Sequence, residues 1–88
     1  MEIVILDSAY KHGISEDSIH SCLLNVRGDQ ILDDPRVPGS APKRLFAGFD
    51  HLGNALEIIA IEDEPRSCLV VIHAMKLRKQ FHYLLRSN

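Results

Sequence analysis

Two short stretches of the chain hold residues able to move protons and hold anions near neutral pH: Lys11-His12-Gly13-Ile14 and His73-Ala74-Met75-Lys76-Leu77-Arg78. Histidine, with an ordinary pKa of about 6.5, exchanges protons near pH 7. His73 closes an apolar run that would present it at a strand end, and by alternation it would share a face with Leu69, Val71 and Met75. Lys76 and Arg78 follow; arginine suits bidentate phosphate contacts and lysine acts as a point charge. Lys11 and His12 precede a turn glycine, and a loop beside a sheet edge can complete a site. If His12 meets His73, the two form an acid and base pair. Glu57 interrupts Leu56-Glu57-Ile58-Ile59 and is a base or an ion-pair partner, ranked below His73. Plainer readings stand beside these. His73 is equally a histidine satisfied by a local hydrogen bond, Lys11 a surface cation, and His12 a partner for free carbonyls at a helix C-terminus.

Other chemistries have little support. His20, His51, Cys22 and Cys68 lack the close spacing of a zinc site, no GxxxxGK loop cradles a nucleotide, and no Gly-x-Ser-x-Gly turn is present. Neither metal nor organic cofactor is expected. The two cysteines read as buried thiols acting as small hydrophobes.

The 88 residues suit one domain, spanning 1–88, and 45% hydrophobic with 25% charged residues is ordinary for a globular protein. No run approaches the roughly 18 apolar residues of a membrane span, and no signal-like leader opens the chain, so a cytoplasmic protein with no membrane partner is expected. The formal net charge of -2 conceals a division. All twelve acids lie in residues 1–64 with only five Lys or Arg, whereas the remainder carries five cations and no acid. Phosphate binding, if any, belongs to the C-terminal end.

Local patterns supply the elements that must position these residues. Glu2 to Leu6 reads as a strand, Asp7 and Ser8 as caps of a helical turn, Gly13 as its left-handed terminator and Ser15 as the cap of a second helix. That helix carries an apolar stripe of Ile19, Cys22, Leu23 and Val26. Gln30 to Leu32 reads as a brief edge strand, and Asp33 to Lys43, with three prolines and a glycine, as a loop. Arg44 to Phe49, Ala55 to Glu62 and Cys68 to Met75 read as strands of an antiparallel meander, the last two apolar on both faces. A terminal helix follows, with Leu77, Phe81, Leu84 and Leu85 on one side and Arg78, His82 and Arg86 spaced by four on another. The expected class is α+β, with N-terminal helices and a C-terminal helix packed on a three- to four-stranded antiparallel sheet.

In that order of elements, Lys11-His12-Gly13-Ile14-Ser15 resembles the interhelical motif of BrnT-type toxins of the RelE-like ribonuclease superfamily. Gly48 through Gly53 to Leu56-Glu57-Ile58-Ile59 resembles the family's first central hairpin, and Val70-Val71-Ile72-His73-Ala74-Met75-Lys76 its final strand. The likeness covers most of the chain outside the proline-rich loop. Where the family strand ends in a small residue and an arginine, this chain has Ala74-Met75, with its cations later.

The resemblance implies a bacterial type II toxin-antitoxin module whose toxin cleaves RNA without a metal and is blocked by a cognate antitoxin, operator DNA being bound only through that complex. RNA cleavage needs a base for the 2'-hydroxyl, cations for the phosphate and an acid for the leaving oxygen. His73 and His12 are the expected acid and base, with Lys76 and Arg78 stabilising the phosphate. Lys11, Lys79, His82 and Arg86 are the expected RNA contacts, Lys79, His82 and Arg86 being equally a solvated helix face. A non-catalytic nucleic-acid- or protein-binding module with the same fold is the competing expectation.

Overall fold

A computed structural model describes residues 2–32 and 42–86. In chain order they form β1 (Glu2–Ile5), a 3-10 turn (Asp7–Tyr10), α1 (Glu16–Leu23), β2 (Val26–Leu32), β3 (Lys43–Phe49), β4 (Ala55–Asp63), β5 (Cys68–Lys76) and a terminal 3-10 helix (Lys79–Leu85). The expected loop lies outside the described residues except for Pro42 and Lys43, and Lys43 opens β3. No helix among the described residues is long and apolar enough to cross a membrane.

The class is α+β, but the sheet has five strands in the order β1-β5-β4-β3-β2 and is mixed. The antiparallel meander runs through β2, β3, β4 and β5, while β1 joins β5 in parallel, pairing Glu2 with Cys68 through Ile5 with Val71. The expected three or four antiparallel strands therefore understate the sheet. Pairing on the outside of β5 lets Ile3 and Ile5 pack against the main core, and nothing in so local a pattern discloses that distant partner. At the other edge β2 starts at Val26, so the expected helical stripe extends one turn too far. α1 ends at Leu23, and β-branched Val26 pairs with Gly48 instead.

Helical segments cover both faces. Ile19 and Cys22 of α1, with Ala9 of the 3-10 turn, pack on Leu56, Ile58, Ala60, Leu69, Val71 and Ala74. On the opposite face Leu77, Phe81, Leu84 and Leu85 pack with Leu45 and Ala47, which accounts for the two-sided hydrophobicity of the central strands. The terminal helix lies so close over β2 that a Cβ on Gly28 would collide with the Leu84 carbonyl. Both cysteines are free and buried, and burial, reinforced by the nearby Asp50 charge, pushes the Cys22 thiol up to about 12.

The signals around residue 13 hold in detail. Gly13 takes φ +80°, and the Ser15 side chain accepts the Ser18 N–H at 3.1 Å to cap α1. The first helix, however, is a single 3-10 turn with no side-chain cap from Asp7 or Ser8. The last helix is also 3-10, with Phe81 N–H donating to the Arg78 carbonyl at 2.9 Å. At three residues per turn a spacing of four drifts around the axis, so Arg78, His82 and Arg86 do not form one row.

Candidate functional site

One irregularity in β5 decides which way His73 points. His73 pairs with Ile59 and Val71 with Ala60, so Ile72 is an extra residue, a bulge. Leu69 and Val71 before it face the α1 core, whereas His73 and Met75 after it share the opposite face with Ile59 and Glu57. The expected company of Leu69 and Val71 is therefore wrong, because strict alternation does not survive the extra residue. β1 ends at the bulge: Leu6 N–H donates to the Val71 carbonyl at 2.9 Å, and Ser8 Oγ–H donates to the Ile72 carbonyl at 2.9 Å. That anchor directs the following Lys11-His12-Gly13 along the outer side of β5.

Beneath His73 lies Glu57, fully buried in the sheet. Arg78 grips it in three ways: the backbone N–H reaches Oε1 at 3.0 Å, Nε reaches Oε1 at 3.0 Å, and Nη2 reaches Oε2 at 2.8 Å. The guanidinium also stacks over the Phe81 ring, 5.3 Å from its centroid. Burial on its own would raise the Glu57 pKa, but the hydrogen bonds and charge of Arg78 outweigh it and hold the carboxyl below its usual value. In return Glu57 pushes the Arg78 pKa up. Glu57 is therefore ionised at neutral pH and can only accept hydrogen bonds.

That fixes the tautomer of its second partner. His73 Nε2 stands 3.3 Å from Glu57 Oε2, so Nε2 carries the proton, and the neutral ring keeps its lone pair on Nδ1. Burial lowers the His73 pKa, and the opposing pull of Glu57 does not restore it. His12, exposed, sets its ring at 72° to that of His73 with centroids 5.4 Å apart. A held, neutral imidazole beside an exposed one can remove a proton at one atom and deliver it at another.

Among the expected site residues, His12, His73 and Arg78 thus come together, with Glu57 at their centre. Glu57 ranks below His73 as a candidate on sequence, and its ion-pair reading is the one the geometry adopts. Its sequence signal is a lone carboxylate in an apolar strand, which is costly unless paired. Arg78 is mostly engaged by Glu57, although Nη1 has no hydrogen-bond partner among the described residues. Lys76 pairs with Leu56, not Glu57, and so belongs to the other sheet face, apart from His73. Lys11, Lys79, His82 and Arg86 are exposed. No group of three or more potential metal ligands occurs among the described residues.

No protein-family model, curated protein or solved structure matches this chain.

Proposed function

We propose that the protein is a cytoplasmic endoribonuclease toxin of a bacterial toxin-antitoxin pair, RelE-like in fold and similar in sequence pattern to BrnT-type toxins. The observation that carries this reading is the His12/His73 pair, with His73 held in one tautomer by buried Glu57, itself gripped by Arg78. His73 Nδ1 accepts the proton of a ribose 2'-hydroxyl. The 2'-oxygen attacks the adjacent phosphorus, the bond to the 5'-oxygen breaks, and protonated His12 gives its proton to that oxygen. The products are a 2',3'-cyclic phosphate and a 5'-hydroxyl, with no redox change and no cofactor. Arg78 Nη1 and Lys11 are the cations available to the phosphate, and Lys79, His82 and Arg86 extend the positive surface along the RNA. A cognate antitoxin would cover this basic site, operator DNA being bound only by the complex.

General acid-base groups contribute on the order of 10²–10⁴-fold. His73→Ala should therefore slow cleavage of a single-stranded RNA by about that factor, with cyclic phosphate ends on the wild-type products. A His73→Ala variant as active as wild type would refute the assignment. The non-catalytic alternative draws on two features, Met75 standing where the family carries a cation and the engagement of Arg78 by Glu57. RNA bound in a salt-dependent way but never cut by wild type would establish it instead.

A further inference from the structure

Lys76, turned away from His73, helps to line a separate cavity of about 530 Å³ at the end of the sheet. This volume falls within the range of roughly 300–1,000 Å³ usual for small-molecule sites. The wall includes Ile14, Leu56 and Leu77, which are apolar, together with Ser15, Asn54 and His82. Two further wall residues tie it to the catalytic pair. Gly13 directly follows His12, and Lys76 lies three strand positions beyond His73, roughly 10 Å along β5.

The lining has an unspent polar inventory. Asp50, its one carboxylate, is occupied by Ser18 Oγ, the Leu52 N–H and both the backbone and side-chain N–H groups of Asn54. Asn54 thereby keeps Oδ1 as an acceptor. Ser15 Oγ accepts from Ser18, which leaves its hydroxyl proton to donate. Lys76 forms no ion pair among the described residues. A donor and an acceptor beside apolar walls, an exposed imidazole and an unpaired cation match an unstacked nucleobase with its phosphate. Bases in single strands are held by stacking and by hydrogen bonds to their edges.

We propose that this cavity takes the base of a nucleotide next to the scissile phosphate, with Lys76 on that nucleotide's own phosphate and His82 stacked on its ring. The protein would then read single-stranded RNA by base identity at one position beside the cut. The word scissile rests on the nuclease reading, but base binding can be measured without cleavage.

The experiment titrates the full chain with 3'-AMP, 3'-GMP, 3'-CMP, 3'-UMP and, separately, inorganic phosphate, following backbone amide resonances. At least one nucleotide should bind about tenfold or more tighter than phosphate, the increment that stacking supplies. The shifted amides should be those of Gly13, Ser15, Asn54 and Leu77. Lys76→Glu should weaken every nucleotide, and His82→Ala should erase the advantage over phosphate while His82→Phe keeps it. Unliganded spectra check that each variant is folded. Four nucleotides binding no better than phosphate, or shifts centred on Ile61 and Val70, which line a different cavity beside Arg44, would overturn the proposal. RNA cleavage without base preference, and with no shift in the cavity, refutes the subsite and leaves the nuclease standing. Selective binding without cleavage supports the subsite and refutes the nuclease.

Discussion

Two buried carboxylates stand at opposite ends of one structural problem. Asp50, 6% exposed, is held by neutral donors: Leu52 and Asn54 N–H groups at 3.0 and 2.8 Å, Ser18 Oγ at 2.8 Å and Asn54 Nδ2 at 3.1 Å. Three of these four come from its own turn, and the fourth staples that turn to α1. Glu57 is held instead by a full charge, Arg78, and by a proton carrier, His73, which lie 21 and 16 residues further along the chain. Neutral donors satisfy a carboxylate and fix a shape. Charged and titratable partners must be brought from far along the chain to a carboxylate that is itself fully desolvated, and they leave a side chain that can exchange a proton. The difference marks Asp50 as architecture and Glu57 as the support of a site.

Breaking the Glu57 clamp on one side tests this most severely. Arg78→Ala leaves an uncompensated buried charge and should cost about 3–5 kcal/mol in urea unfolding. Removing the pair together separates shape from chemistry. Glu57→Leu with Arg78→Met should be neutral, or stabilising by about 1–4 kcal/mol, yet RNA cleavage should fall because His73 loses the acceptor that sets its tautomer. A double variant that is stable and fully active would reduce Glu57 to architecture as well. Asp50→Ala should be milder, about 1–3 kcal/mol, through loss of the turn's hydrogen bonds, and should leave the pH profile of cleavage unchanged. A shifted profile would erase the contrast.

How far each region could be read in advance follows the same division. The turn after Phe49 and the capping around Gly13 and Ser15 depend on residues within five positions of each other, and there the expectations hold. The three central strands match to within a residue at each end, because their apolar runs are bounded by clear turn formers. What local pattern could not show is the bulge at Ile72, whose carbonyl is met by Ser8 at a separation of 64 residues. The same is true of β1 pairing in parallel across the whole chain. Those two features turn His73 toward Glu57 and bring His12 beside it. The sequence points to a convergence of His12, His73 and Arg78 but not to Glu57 as its hub, and Lys76, expected just past the strand, is instead the last residue of β5 and faces away from His73.

The smallest effect separates the two carboxylate sites by pH, through the histidine that only Glu57 holds. The Asp50 carboxyl is lowered to about 2, since its hydrogen bonds outweigh the opposing effect of burial. Its contribution is therefore complete above the ordinary value of about 4 and lost as pH falls through the folded value. Glu57 is also depressed, with Arg78 outweighing burial, and its contribution has the same sign and the same acid window. His73 differs. Burial first, then the nearby charges of His12 and Arg78, lower its pKa against the pull of Glu57, so folding favours the neutral ring. Its stabilisation is complete above about 6.5 and lost as pH falls below that value. Unfolding free energy measured against pH should thus decline in two stages, a shallow one below about 6.5 and a steeper one below about 4. His73→Phe should remove the first and keep the second, and Asp50→Asn should reduce the second and keep the first. Persistence of the upper stage in His73→Phe would assign it to another histidine, and with it would go the argument that the Glu57 clamp holds a neutral base.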